Sequence, residues 1–349
     1  MKIFLIAVTG GFALASACKT SKQTDIAPDA VKPVVVTEKV VFDTDDPAIW
    51  INKENPATSV ILGTDKETDG GLYVFDLQGK IINKVTGLKR PNNVDIAYDI
   101  SLGGKSLDVA VTTERETNKL RFFSVPELAP LDEDGIEVFT GEAERGPMGV
   151  AFYRRPTDSA FFVIVGRKTG PAEGYLWQYK LVDDNGKIAL QLARKFGRFS
   201  GKKEIEAIAV DQSLGYVYYS DEQVGIRKYH ADPNKGNEEL TLFGEGDYKA
   251  DNEGISIYAL SDSTGYILVS NQSNSSFNVY PREGAEGNPH LHQRITEIPV
   301  STLESDGSDV SSVSLPGFEG GIFVAMSADK TFQYYRWVDI SEKGKLKTK

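Results

Sequence analysis

Cysteine is almost absent from this chain: Cys18 is the only one in 349 residues. Beyond that position there is no thiol to act as a nucleophile. Histidine is nearly as scarce, with only His230, His290 and His292, two of them in a Gly/Pro-rich stretch. That argues against a His-rich zinc or dinuclear iron centre. No Gly-x-Ser-x-Gly elbow and no Gly-x-x-x-x-Gly-Lys loop is present, so serine-hydrolase and P-loop chemistry lack their supporting motifs. Basic residues are outnumbered, 39 against 50, for a formal charge of −11. Phosphate-backbone binding normally shows a basic footprint, so nucleic acid is not an expected partner.

One long apolar stretch stands at the start. Lys2 precedes Ile3 to Leu14, and Ala15-Ser16-Ala17-Cys18 follows. This has the layout of a bacterial lipoprotein signal peptide over residues 1–17, with Cys18 as the lipidated N-terminus. An ordinary signal peptide cut near Ala17 is the alternative. Residues 18–33 are polar and unpatterned and read as a flexible tether, leaving 34–349 as one folded domain. The expected setting is an exported monomer, lipid-anchored to a bacterial membrane or cell surface and otherwise periplasmic or secreted. Membrane contact would then run only through Cys18.

What fills the domain is repetition. Six apolar, strand-like runs each end in a polar residue: Lys66, Arg115, Lys168, Glu222, Gln272 and Ser327, at spacings of 49, 53, 54, 50 and 55. Tyr216-Val-Tyr-Tyr219 and Phe161-Phe-Val-Ile-Val165 are typical, rich in β-branched and aromatic residues and bounded by Gly, Asn and Asp. No window of comparable length shows a helical period. A period near fifty residues built of short strands predicts an all-β chain, a six-bladed β-propeller. Equivalent strand ends then face one mouth of the central channel.

A second set of polar residues stands about twenty positions before those ends. Asp45-Asp46, Asn92-Asn93-Val94-Asp95, Glu206, Asp251-Asn252-Glu253-Gly254 and Asp306-Gly307-Ser308-Asp309 each open a blade. In an antiparallel pair the start of one strand lies beside the end of the next, so both sets converge on the same mouth. A carboxylate cluster of that kind repels itself unless cations neutralise it. Oxygen ligands without imidazole or thiolate point to calcium or magnesium, and calcium, accepting six to eight flexible ligands, fits better.

At these residues the chain resembles the β-propeller phytases, calcium-dependent enzymes that remove phosphates from inositol hexakisphosphate. Asp45-Asp46-Pro47-Ala48-Ile49-Trp50, with Lys66 twenty-one residues after Asp45, is similar to the family's opening motif and phosphate-binding lysine. Asn92-Asn93-Val94-Asp95-Ile96 with Arg115, Glu206 with Glu222, Asp251-Asn252-Glu253-Gly254, Gln272-Ser273-Asn274-Ser275-Ser276 and Asp306-Gly307 follow in the family's order. The resemblance runs from about Val40 to about Trp337.

Three stretches depart from the family's pattern: Met148-Gly149 replaces its Tyr-Gly, and Gly166-Arg167-Lys168-Thr169 offers Arg167 as the best match to its next lysine. Met326-Ser327-Ala328-Asp329 also departs from the usual Gln-Asp-Gly. The resemblance implies several calcium ions held by Asp45, Asp46, Asn92, Asn93, Asp95, Glu206, Glu222, Asp251, Glu253, Gln272 and Asp306. It implies Glu206, Glu222 and Glu253 as catalytic carboxylates and Lys66, Arg115, Arg167 and Lys168 as ligands of phytate or calcium-phytate, hydrolysed by metal-activated water. Two other classes stay open: a different calcium-dependent propeller hydrolase, such as a lactonase or esterase, and a non-catalytic binding propeller at the cell surface.

Overall fold

The computed structural model describes residues 26–349; the expected leader and Cys18 lie outside that range. Within each blade, consecutive strands fold back antiparallel on one another. In the first blade Thr44–Trp50, Val60–Asp65, Thr68–Phe75 and Ile81–Lys89 pair in that order. Among the described residues the pattern produces six four-stranded sheets. The first strands of the next five are Pro91–Leu102, Pro147–Arg154, Ile208–Asp211, Asn252–Ala259 and Ser308–Ser311. Residues from all six first strands line one central cavity of ≈640 Å³. The chain is therefore the six-bladed propeller that the repeat predicts. Its ring is closed by the N-terminal Val35–Val36, which completes the sixth blade through the pairs Val35–Tyr334 and Val36–Gln333.

The core follows from the two-residue period of a strand. Neighbouring residues of one strand face opposite neighbouring blades, so each blade is apolar on both sides. Ile61 packs towards the sixth blade with Val324 and Phe332, while the adjacent Leu62 packs towards the second with Val94 and Ala110. Val163 and Ile164 divide in the same way between the second and fourth blades. The apolar core is thus a ring of inter-blade layers, and it leaves the channel free to carry chemistry.

Two features depart from the sequence pattern. Within the expected tether, Ala30 and Val31 are buried, and Val31 pairs in parallel with Val300. A short helix, Trp337–Gly344, follows the last blade. Eight residues are too few to show a period, and tertiary contact decides the matter: Trp337 stacks on Tyr258 at 3.6 Å and Ile340 is buried beside it. No helix among the described residues is long and apolar enough to cross a membrane.

Candidate active site

Each blade brings two positions to the same mouth. The first is a β-bulge in the inner strand, where two residues oppose one and side chains are re-aimed. The register slips at Asp45-Asp46, Asn92-Asn93, Met148-Gly149 and Glu253-Gly254. In the fourth and sixth blades Glu206-Ala207 and Asp306-Gly307 hold the same place just ahead of the strand, with Ser220 and Met326 donating N–H groups to the Ala207 and Gly307 carbonyls. In the third and fifth blades the second bulge residue is a glycine for a physical reason. A Cβ on Gly149 would lie 2.1 Å from the Glu206 carbonyl oxygen, and one on Gly254 2.8 Å from that of Asp306. The rims of adjacent blades touch at these points.

The second position follows the second strand. Lys66, Arg115, Lys168, Glu222 and Gln272 each donate a backbone N–H to the carbonyl of the segment entering their blade: Asp43, Arg90, Gly146, Glu204 and Asp251. In the sixth blade Ala325 pairs with Ser308 as Tyr219 does with Ile208. The equivalent residue is therefore Ala328, one beyond the Ser327 expected from the repeat. Ser327 is buried, and its hydroxyl accepts the Leu303 N–H.

The side chains of these positions form one network around the mouth. Lys66 Nζ lies 2.8 Å from Asp45 Oδ1 and donates to Asp306, which also accepts from Gln272 Nε2 at 2.5 Å. Asn92 donates to Asp45 Oδ2 at 2.7 Å and to Glu206, and its own oxygen accepts from Arg115. Lys168 Nζ sits 2.6 Å from Glu204 Oε2. Lys66, Arg115 and Lys168 thus come from the first three blades, and the fourth and fifth concentrate the carboxylates. Met148 breaks the ring of polar groups in the third blade: it is buried, and only its carbonyl is engaged, by Thr113.

Two sets of carboxylates converge closely enough to hold a metal ion: Glu204 with Glu206 and Glu222, and Glu222 with Asp251 and Glu253, their ligand oxygens within 4.8 Å of one another. Burial, reinforced by neighbouring carboxylates, pushes Glu206 and Glu222 up to about 8 and Glu253 well above its usual range. Asp45 rises to about 6, with burial outweighing Lys66. Glu222 Oε1 and Glu253 Oε2 are buried without any hydrogen-bond partner. Hard oxygen donors, crowded and partly orphaned, suit a calcium ion, which would satisfy the free lone pairs and favour the ionised form.

Four expected residues are placed differently. Arg167 is 1% exposed and points away from the mouth, stacked over Phe139 and Tyr175 and bonded to the Glu144 carbonyl at 3.0 Å. Its position explains this. Asp65, Glu114, Asp221, Asn271 and Ser327 occupy the same last strand site in other blades, and each accepts a backbone N–H from the entering segment. Arg167 makes the reverse contact, leaving Lys168, half exposed, as the cation of the rim.

Asp95 is not brought into the network either. Its oxygens accept the N–H groups of Phe152 at 2.6 Å and Ile96 at 2.7 Å, tying the second blade to the third within the channel. Asp46 and Asn93, the second bulge residues, also line the channel, where Asp46 accepts the Val94 N–H at 3.1 Å. Two rim residues went unrecognised in the sequence, Glu204 and Lys203. Their one visible signal was a charged run, Lys202-Lys203-Glu204, directly ahead of Glu206.

A family model described as Phytase matches residues 3–336. A 3-phytase of Bacillus subtilis (strain 168) is 29% identical over 318 residues, covering 85% of this chain and 80% of that protein. Among solved structures, a chain of the mitotic checkpoint complex covers 96% of this chain and 98% of its own, at 9% identity and a TM-score of 0.49. A chain of BBS1N in complex with ARL6DN, soaked with lead, covers 82% and 77%, at 10% identity and a TM-score of 0.47. Neither structural likeness bears on function.

Proposed function

The chain belongs to the phytase family, and on that premise we propose that it hydrolyses phosphate monoesters of inositol hexakisphosphate with calcium as its cofactor. The observation that carries the reading is the make-up of one rim: Lys66, Arg115 and Lys168 stand at the same mouth as Glu204, Glu206, Glu222, Asp251 and Glu253, and in part directly against them. A densely anionic substrate can approach so acidic a protein only where cations and local basic groups offset the carboxylates. Glu204, Glu206 and Glu222 would hold one ion and Glu222, Asp251 and Glu253 another, with Asp45, Asn92, Gln272 and Asp306 beside them. Calcium, when bound, supplies charge against phosphate oxygens and makes water more acidic.

The chain's own residues do the rest. Arg115 has a buried Nε without a partner, a donor free to meet a phosphate oxygen. Lys66 and Lys168 stand on either side of it in the ring, positioned to offset charge on the transferring group. Glu206, Glu222 and Glu253 orient the attacking water and hold its proton. No phosphoenzyme is required. All three histidines gather instead around Tyr216 and Tyr218 on the fourth blade. The charged rim disfavours the lactonase or esterase alternative, which needs an apolar pocket there.

Phosphate release from inositol hexakisphosphate, assayed in calcium and in excess EDTA, tests the reading. Release should fall more than about tenfold in chelator and return on adding calcium. Equal rates in the two conditions would remove calcium from the reading, and no release in either would remove the substrate.

A further inference from the structure

Lys203 sits where a cation would. Its Nζ lies 2.6 Å from Glu222 Oε2, 2.9 Å from Asp251 Oδ2 and 3.4 Å from Glu253 Oε1. These are the same three residues that converge as one of the candidate metal groups. We propose that the Lys203 ammonium is a built-in counter-ion that occupies this position in the metal-free enzyme and competes with the divalent cation for it. The inference rests on the metal reading of the rim and adds a residue that works against the metal.

Three observations favour a displaceable occupant over a permanent ion pair. The ammonium serves the group incompletely, since Glu222 Oε1 and Glu253 Oε2 remain buried and unpartnered beside it. A lysine has three donors on one side of a point charge, whereas calcium takes six to eight oxygens from all directions. The side chain is also 34% exposed, so its flexible stem has a route out towards solvent. Finally, it is carried on the segment entering the fourth blade, where Gly201 has nothing within 4 Å of a Cβ position. Withdrawal of the lysine therefore needs no repacking of the core. While the ammonium is in place the carboxylates are neutralised and the site is closed to calcium; the apparent affinity is reduced by the fraction of molecules in which Lys203 has left.

Lys203→Met keeps the stem and removes the charge. Calcium binding to EDTA-stripped protein, followed by calorimetry, should tighten by about tenfold or more in this variant. Its melting temperature should fall in EDTA, where the carboxylates lose the ammonium, and return close to wild type in saturating calcium. Lys202→Met, whose Nζ meets only the Gln223 carbonyl, should leave the affinity unchanged. Lys203→Gln provides the same comparison should the methionine variant not fold. An equal loss of stability in both conditions with unaltered affinity would mark a structural ion pair and overturn the inference. So would equal tightening by Lys202→Met, which would mean a diffuse charge effect. Absence of calcium binding to the wild type as well would instead strike the metal reading beneath it.

Discussion

Arg167 and Lys168 are adjacent cations that strand alternation sends in opposite directions. One lies in the wall between blades, held by Phe139, Tyr175 and Glu142; the other lies on the rim, beside Glu204. Lys168→Ala should accordingly lower kcat/KM and leave the melt nearly unchanged. Arg115→Ala should lower kcat/KM by about tenfold to a thousandfold, the loss of roughly 1.5–4 kcal/mol of charge-assisted binding. Arg167→Ala belongs to another class: it should cost roughly 1–3 kcal/mol of stability by emptying a buried site. Kinetics and thermal melts on the three variants check the division. A stable Arg167→Ala protein with kcat/KM as low as Arg115→Ala would return Arg167 to the substrate.

Among the elements, the inner strands do most to position the site, and they are joined to one another by side chains. Asp309 in the sixth blade accepts the Ile49 N–H of the first at 2.8 Å, as Asp95 joins the second blade to the third. Burial lifts Asp309 to about 7 and Asp95 to about 6, against the backbone N–H groups that favour their ionised forms. Removing such an acceptor strands a buried donor. Asp309→Ala should therefore cost about 1–3 kcal/mol in denaturant unfolding, while the same change at exposed Asp262 should be close to neutral. Equal effects at the two positions would show that the contact between the first and sixth blades does not depend on this carboxylate.

For the whole molecule, calcium held at the acidic mouth would make stability depend jointly on pH and calcium. Glu206 and Glu222, pushed up to about 8 mainly by burial, bind protons in the metal-free fold that they would release when unfolded. The sign follows: stability is fullest below the ordinary carboxylate range and is lost as pH rises through the folded values. In EDTA the melting temperature should decline between about pH 5 and about pH 8 from this source. Calcium binds the ionised form, so its stabilising effect should grow over the same interval. A calcium-induced rise in melting temperature that is the same at both ends would contradict the placement of these carboxylates as its ligands.

The six-bladed ring is legible in the linear pattern, because a period near fifty with two-residue alternation admits few other ways to bury both faces of every sheet. The sequence also determined which residues reach the mouth in most blades. Asp45 with Lys66, Asn92 with Arg115, and Glu206 with Glu222 lie at the start and end of paired strands, and antiparallel geometry alone brings those ends together. Tertiary structure decided everything that turns on one residue of register or on a neighbour distant in the chain. The bulges set Asp46 and Asn93 into the channel while Asp45 and Asn92 join the rim. Alternation moved Arg167 off the rim, and the sixth blade's pairing moved its equivalent from Ser327 to Ala328. Lys203 met Asp251 and Glu253 only because the fourth and fifth blades are neighbours. Strand periodicity is a local property that a linear pattern records, whereas the direction of a side chain at a bulge, and the charge it meets across a blade boundary, exist only once the ring has closed.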